Sequence, residues 1–232
     1  MKYEEYNIGE GTLNFTVVEP NGFNPHNHYP IVVLMHGFGA SSKDLAPLAS
    51  AINARGYIYA FPQAPIEMRM GFGGIGYAWA PISGDGIEES INNSKSLINR
   101  FLDELLELYG DEDTKVVLGG FSQGAMMALE VGLESPGRIT GIVSCSGWLN
   151  SSQLDTEPES NNQQQLFIGH GSLDDIVPIQ KSIEAVGKLS AKGYLTEFHE
   201  YDIAHEISHM EISDISEWIQ SVIPPLDIET NR

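Results

Sequence analysis

The stretch Lys115-Val-Val-Leu-Gly-Gly-Phe-Ser-Gln-Gly-Ala-Met-Met-Ala-Leu-Glu130 decides how the rest of the chain folds. The apolar residues Val116 to Leu118 predict a short buried strand, and the small apolar residues that follow Ser122 predict a helix. Gly120 and Gly124 flank the serine in the pattern G-x-S-x-G. A strand that turns directly into a helix crowds its backbone, and residues without a Cβ relieve that crowding. The serine then lies exposed at a helix N-terminus, so the stretch predicts a nucleophilic serine.

The composition indicates one domain of ordinary size. The chain has 232 residues, 41% of them hydrophobic, which is enough for a substantial α/β core. No apolar run approaches the roughly 20 residues that a membrane-spanning helix needs. The N-terminal stretch Met1-Lys-Tyr-Glu-Glu-Tyr6 lacks the apolar core of a signal peptide. A single cysteine, Cys145, cannot form an internal disulfide, which suits a reducing compartment, so we predict a cytoplasmic protein.

The charge balance restricts the class of partner. Only 12 Lys and Arg residues stand against 32 Asp and Glu residues, which gives a formal net charge of −20. Such a field repels nucleic acid and anionic lipid surfaces, so we expect neither nucleic-acid binding nor stable membrane association. The sequence leaves open whether the protein forms a homodimer.

Strand and helix patterns alternate along the chain. Ile31–Met35 is a continuous apolar run, which is typical of a strand buried on both faces of a parallel sheet. From there on, strands and helices alternate, which predicts a mostly parallel sheet with helices on both faces. Before it, Thr12–Val18 alternates apolar and polar residues and predicts a half-buried antiparallel edge strand. The most regular helix pattern is Ile87–Tyr109. We expect a single domain over residues 1–232, with a tail at 224–232.

One long segment shows no clear period. Pro62 to Gly86 is rich in glycine and proline and carries the large side chains of Met70, Phe72 and Trp79. A long apolar loop inside a compact domain is usually functional. We predict that this loop covers the serine and that these three residues bind the substrate.

A serine hydroxyl needs a histidine to take its proton and a carboxylate to orient that histidine. When the serine lies in a strand–turn–helix elbow, the acid and then the histidine follow it along the chain. Asp174 follows the predicted strand Leu166–Ile168, and His205 follows the predicted strand Thr196–Tyr201. Position alone leaves alternatives for the acid, Asp175 and Asp202, and for the base, His170, His199 and His209.

Three blocks carry a family resemblance. They are Gly120-Phe-Ser-Gln-Gly-Ala125, His170-Gly-Ser-Leu-Asp-Asp-Ile-Val-Pro178 and Tyr201-Asp-Ile-Ala-His-Glu-Ile-Ser208. Together they resemble the carboxylesterase and acyl-protein-thioesterase family, also called the phospholipase/carboxylesterase family, over about Ile31 to Ile223. The resemblance implies a compact α/β-hydrolase fold without a separate cap domain.

The resemblance also assigns roles to residues. It implies that Asp174 is the acid, that His205 is the base, and that the N–H groups of Phe38 and Gln123 form the oxyanion hole. It implies neither a metal nor a cofactor. A non-catalytic binding module on this fold would have lost a member of the triad, and here Ser122 and its two partners are all present.

Two departures from the family pattern bear on the substrate. The family usually has Leu followed by Gly after its His-Gly pair, with Asp soon after, and here Phe38-Gly-Ala-Ser41 takes that place. The family's loop commonly carries a pair of adjacent aromatic residues, whereas here Trp79 is followed by Ala80. These departures weaken the transfer of protein-thioesterase activity. We therefore predict a serine carboxylesterase acting on small neutral esters with short to medium acyl chains, with lysophospholipase or acyl-protein thioesterase as the alternative.

Overall fold

The computed structural model of the protein describes residues 1–6, 11–150 and 164–227. Residues 228–232 of the predicted tail therefore lie outside the described residues. The strands are β1 Lys2–Tyr6, β2 Phe15–Glu19, β3 Ile31–Met35, β4 Ile58–Pro62, β5 Ile66–Arg69, β6 Ile75–Ala78, β7 Val116–Phe121, β8 Ile139–Cys145, β9 Gln165–Gly171 and β10 Leu195–Tyr201. The α-helices are α1 Leu48–Ile52, α2 Ile87–Tyr109, α3 Gln123–Gly132, α4 Gln180–Ala191 and α5 His209–Val222.

Within the described ranges, eight strands form the central sheet in the order β1-β2-β4-β3-β7-β8-β9-β10. All neighbouring strands from β4 to β10 in this order are parallel. β2 is antiparallel to both β1 and β4. The predicted mostly parallel sheet is therefore confirmed. β7 lies between β3 and β8, so Ser122, which follows β7, sits at the middle of the carboxyl edge of the sheet, where ligands of open α/β sheets bind.

Two apolar clusters cover the two faces of the sheet. On one face, side chains of α2, α3 and α4 pack on the strands, with Phe101, Met127 and Leu189 as fully buried examples. On the other face, α1 and α5 pack together, with Ala49 and Ile219 fully buried. Helices on both faces were predicted from the alternation of strands and helices, and this prediction is confirmed.

The longest helix has the bounds that its sequence pattern predicts. α2 begins after Gly86, which has a positive φ of 81°, and ends at Gly110, whose N–H donates to the carbonyl of Leu106. Its buried positions are spaced by three and four residues, as an amphipathic helix requires: Ser94, Ile98, Phe101, Leu102 and Leu105. No helix in the described ranges is both long enough and apolar enough to cross a membrane.

The antiparallel strand predicted within Thr12–Val18 is present as β2, but its predicted half-buried position at the edge of the sheet is wrong. All five residues of β2 are buried, and β1 pairs along its outer side. Thr16, one of the polar residues that suggested a solvent-exposed face, is buried and shares a 3.2 Å hydrogen bond with Ser42. Glu19, just beyond the predicted strand, is also buried and accepts a 3.2 Å hydrogen bond from Tyr109. A sequence pattern records polarity and cannot show that a distant residue will satisfy it.

The segment 62–86 is not a structureless loop. β5 and β6 form an antiparallel hairpin joined by a single 3-10 turn at Gly71–Gly73. The hairpin is attached to the loop after β3, because Gly39 donates to the carbonyl of Tyr77 and Tyr77 donates to the carbonyl of Ala40. Short strands interrupted by glycines gave too weak a period to be recognised in the sequence.

Candidate active site

Ser122 sits on a strained turn between β7 and α3. Its φ is 54° and its ψ is −117°, a backbone conformation that non-glycine residues rarely adopt. Its N–H donates to the carbonyl of Cys145 at 2.8 Å, which fixes the turn against β8. A Cβ on Gly120 or Gly124 would overlap the carbonyl oxygen of Met35. The two glycines of the motif are therefore needed because β3 passes close to both sides of the elbow.

Ser122, His205 and Asp174 form a continuous hydrogen-bonded chain. The Nε2 atom of His205 lies 2.9 Å from the Oγ atom of Ser122. Its Nδ1 atom lies 2.6 Å from the Oδ2 atom of Asp174. Because an ionised carboxylate can only accept a hydrogen bond, Nδ1 carries the proton and Nε2 is left to accept from the serine hydroxyl. This arrangement can deprotonate Ser122 as it attacks an acyl carbon.

The carboxyl group of Asp174 is held by its own loop. Its side chain has 0% exposed surface, and its Oδ1 atom accepts hydrogen bonds from the N–H groups of Ile176 at 3.0 Å and Val177 at 2.8 Å. Burial acts to raise the pKa of Asp174, but the hydrogen bond from His205 and those from the two N–H groups outweigh it and hold the pKa below its ordinary value. The carboxylate is therefore ionised, as its role as an acceptor requires.

Most of the other candidates for the acid and the base, which sequence position alone left open, lie outside the hydrogen-bonded chain from Ser122 to Asp174. Asp175, Asp202 and His209 are exposed. His199 stacks on Phe167 and contacts Glu197 at 2.6 Å. His170 is the exception, because it lies next to the predicted triad.

His170 supports the loop that carries Asp174. The side chain is fully buried, and its Nε2 atom donates to the carbonyl of Val177 at 2.8 Å and lies 3.3 Å from Oδ2 of Asp174. Its Nδ1 atom is 2.7 Å from the hydroxyl of Ser182 on α4. The sequence offered His170 only as a rival base, whereas the structure gives it a supporting position behind the acid.

The loop after β3 approaches the elbow closely. A Cβ on Gly37 would lie 3.3 Å from Cδ1 of Phe121 and 3.4 Å from the Cβ of Ser122, so the loop and the elbow are in direct contact at this point. Within the described residues, the N–H groups of Phe38 and Gln123 have no hydrogen-bond partner inside the protein. Two N–H groups without partners beside a nucleophile are suited to bind a developing oxyanion.

His36 fixes this loop from behind. Its Nδ1 atom is 2.8 Å from the carbonyl of Gly37, and its Nε2 atom accepts from the N–H of Ala64 at 3.1 Å. Burial lowers the pKa of His36 despite the opposing effects of the Gly37 carbonyl and Asp44. A neutral ring that donates from Nδ1 and accepts at Nε2 satisfies both contacts.

The structure corrects the substrate-binding prediction for Trp79. Its side chain is 0% exposed, and its Nε1 atom donates to the carbonyl of His36 at 2.9 Å. The side chain of Gln123 accepts from the N–H of Trp79 at 2.8 Å and donates to the carbonyl of Ala80 at 2.7 Å. Trp79 therefore joins the loop after β3 to the elbow, and in this conformation it has no surface to offer a ligand.

A mostly apolar cavity of about 510 Å³ opens beside Ser122. Its described lining consists of Phe38, Ala80, Pro81, Ile82, Ile87, Ile91, Ser122, Gln123, Met126, Trp148, Asn150, Ile176 and Val177. Met70 lies against Gly39 and is not in this set. The side chain of Phe72 lies outside the described residues, so its predicted contact with substrate stays a prediction.

Residues 80–82 of the segment 62–86 line the cavity, as predicted for that segment, but the walls contributed by α2 and by the segment after β8 were not predicted. Ile87 and Ile91 lie one turn apart at the start of α2, and both are only half-buried. Trp148 follows β8 at the carboxyl edge of the sheet. A half-buried start of an otherwise well-packed helix is the signal that could have indicated this wall.

Comparison with known proteins agrees with this geometry. The model of the phospholipase/carboxylesterase family matches residues 15–223. The chain belongs to this family. The family and its α/β-hydrolase fold were predicted from three short blocks, and both predictions are confirmed.

Relatives within the phospholipase/carboxylesterase family carry two kinds of name. Acyl-protein thioesterase 1 of Emericella nidulans is 28% identical, and the match covers 85% of this chain and 92% of that protein. Lysophospholipase-like protein 1 of Mus musculus is 26% identical over 90% of this chain and 91% of that protein. Among solved structures, the esterase PE8 superimposes with a TM-score of 0.74 at 25% identity and covers 91% of this chain and all of that one. Membership in this family and these relatives identify the chain as a hydrolase.

Proposed function

We propose that this protein hydrolyses acyl thioesters and acyl esters with a large polar head group, through an acyl-serine intermediate. These are substrates of the kind that acyl-protein thioesterases and lysophospholipases cleave. The observation that carries the proposal is the chain of contacts from Ser122 through His205 to Asp174, at 2.9 Å and 2.6 Å.

In this mechanism the oxygen of Ser122 attacks the acyl carbon while Nε2 of His205 takes its proton. The N–H groups of Phe38 and Gln123 bind the oxyanion of the tetrahedral intermediate. His205 then gives the proton to the departing thiolate or alkoxide, and the acyl group stays on the serine. Water, deprotonated by the same histidine, then attacks the acyl-serine. As the bond between the acyl carbon and Oγ breaks, His205 returns the proton to Ser122 and the carboxylic acid is released.

The choice of substrate rests on the cavity and the relatives. A cavity of about 510 Å³ with a mostly apolar lining is suited to an acyl chain. The names of the relatives favour the alternative of the sequence prediction over a general carboxylesterase. Hydrolysis of small neutral esters is the second candidate, favoured by the Phe38 and Ala80 departures and by the similarity to esterase PE8. A cytoplasmic location and a homodimer stay predictions.

A matched set of octanoyl substrates tests this proposal. We expect a higher kcat/KM for the octanoyl thioester and for octanoyl lysophosphatidylcholine than for ethyl octanoate, and loss of all three activities in Ser122→Ala. Faster cleavage of the simple ethyl ester would favour the carboxylesterase. Full activity of Ser122→Ala on any of the three would remove the acyl-serine mechanism altogether.

A further inference from the structure

A polar cluster interrupts the apolar wall of the cavity at Asn150. Its Nδ2 atom lies 2.7 Å from Oε1 of Glu130 and 3.3 Å from the sulfur of Met126. The second carboxylate oxygen of Glu130 lies 3.3 Å from Nζ of Lys95, which also donates to Glu134 at 2.6 Å. The cluster thus joins the segment that follows β8 to α3 and α2.

The inner members of the cluster, Glu130 and Lys95, are largely enclosed by the protein, whereas Glu134 is exposed. The side chain of Glu130 is 5% exposed and that of Lys95 is 16% exposed. A buried carboxylate is stable only when it is paired and hydrogen-bonded, and here Lys95 and Asn150 provide both. Burial acts to lower the pKa of Lys95, but Glu134 and Glu130 raise it above its ordinary value, so the ammonium group stays charged.

In the described lining of the cavity, two side chains carry amide groups, those of Gln123 and Asn150. The amide of Gln123 is bound to the backbone of Trp79 and Ala80 beside the elbow, whereas that of Asn150 is bound to Glu130 farther along α3. Met126 and Glu130 follow Ser122 by one and two turns of α3, which correspond to about 6 Å and 12 Å along the helix axis. Asn150 contacts both side chains, so an acyl chain on Ser122 that extends past Met126 reaches Asn150 after roughly five to ten bonds.

The effect of an added CH₂ group on kcat/KM changes from favourable to unfavourable where the acyl chain reaches Asn150. Each CH₂ group placed against apolar side chains increases kcat/KM by about fourfold. A CH₂ group pushed against Asn150 gains no such contact, and it must displace an amide that is bound to a buried carboxylate. Breaking that hydrogen bond costs about one to two powers of ten in binding.

We infer that Asn150, held in place by Glu130 and Lys95, limits the length of acyl chain that the cavity accepts, so that medium-length chains are cleaved best. The inference rests on the proposed function, because it concerns the acyl group that Ser122 would carry. Asn150 is then a specificity-determining residue, and Glu130 and Lys95 are positioning residues behind it.

The test is the chain-length profile of kcat/KM, measured with acyl thioesters from butanoyl to hexadecanoyl. In Asn150→Leu we expect the ratio of dodecanoyl to butanoyl activity to rise at least about tenfold above that of the unaltered protein. Glu130→Gln, which keeps the size of the side chain but removes its charge, is expected to raise the same ratio by a smaller factor. Glu134→Gln is the matched control, because Glu134 contacts Lys95 but not Asn150, and its profile is expected to match that of the unaltered protein.

A profile in Asn150→Leu that falls by the same factor at every chain length, or does not change, would overturn the inference. If that variant does not fold, an unaltered ratio in Glu130→Gln would overturn it equally. Failure of the proposed function has a different signature, because the unaltered protein would then lack activity on every thioester or Ser122→Ala would retain it.

Discussion

At the scale of single residues, Asp174 shows how the site separates two adjacent carboxylates. Asp174 is buried and receives hydrogen bonds from His205 and from two N–H groups of its own loop, whereas the neighbouring Asp175 is exposed. The loop Asp174–Val177 closes on Oδ1 and leaves Oδ2 to face the histidine. Two identical side chains that are adjacent in the sequence therefore have different environments, one buried and one exposed.

We expect Asp174→Asn to lower kcat by about 10⁴, because an amide at this position favours the wrong tautomer of His205. Asp175→Asn is the control and is expected to stay within about twofold, since exposed substitutions away from the site have small effects. Initial rates at saturating thioester measure both. A severe defect in Asp175→Asn beside a mild one in Asp174→Asn would show that the acid is misassigned.

At the scale of elements, the N-terminus of α5 contains a buried acid. The hydroxyl of Ser208 accepts from the N–H of Glu211 at 3.1 Å, and the carboxyl group of Glu211 interacts in return with the N–H of Ser208, as in a capping box. Glu211 is 1% exposed. Burial raises its pKa to about 7, against the opposing hydrogen bonds from the Cys145 thiol and Ser208. Nearby Asp214 raises the pKa further, and His199 lowers it.

This buried acid predicts a pH-dependent stability. Because the pKa of Glu211 is higher in the folded state than its ordinary value of 4.5, its contribution is fully present below pH 4.5 and is lost as the pH rises to about 7. The free energy of unfolding should therefore fall by about 1.4 kcal/mol per pH unit across that window from this group alone. Urea unfolding of the unaltered protein and Glu211→Gln should show a difference that changes with pH.

Glu217→Gln is the matched control for that experiment, because Glu217 is an exposed residue of the same helix. Its unfolding free energy is expected to follow that of the unaltered protein at every pH. A constant difference between the unaltered protein and Glu211→Gln from pH 5 to pH 8 would mean that Glu211 does not titrate in this range.

The hairpin β5–β6 makes a second element-scale prediction. A Cβ on Gly76 would overlap the carbonyl oxygen of Gly39, one residue beyond the predicted oxyanion donor Phe38, whereas a Cβ on Gly74 would make only an ordinary contact at 3.7 Å. We expect Gly76→Ala to displace the oxyanion loop and lower kcat by on the order of 10²-fold, since small misplacements of catalytic groups cost this much. Gly74→Ala is expected to keep its kcat. Equal kcat values in the two variants would show that the hairpin does not position the loop.

Local sequence could predict the elbow, because its glycines and its serine report a backbone conformation within five residues. It could also predict α2, whose buried side repeats along 23 residues. The burial of Trp79, the polar partners of β2 and the cavity wall at Ile87 could not be predicted in this way. Each depends on which distant segment packs against the residue, and one sequence carries no direct record of that.

At the scale of the whole molecule, the net charge of −20 acts on every approaching substrate. We expect neutral acyl substrates to be cleaved faster than otherwise matched anionic ones at low ionic strength, because the field opposes an anion. Salt is expected to narrow this gap as the screening length falls from about 30 Å at 0.01 M to about 8 Å at 0.15 M. Values of kcat/KM for a neutral and a carboxylated thioester at both salt concentrations test this. Equal kcat/KM values for the two substrates at low salt would show that the electrostatic field of the protein does not affect substrate binding at the site.

The central claim is that Ser122 is the nucleophile and that His205 activates it. Its most direct test is the site of covalent labelling by a fluorophosphonate, determined by peptide mass spectrometry on the unaltered protein, Ser122→Ala and His205→Ala. We expect one adduct on Ser122 in the unaltered protein, none in Ser122→Ala, and labelling slowed by several powers of ten in His205→Ala. An adduct on another residue, or unchanged labelling in either variant, would contradict the account.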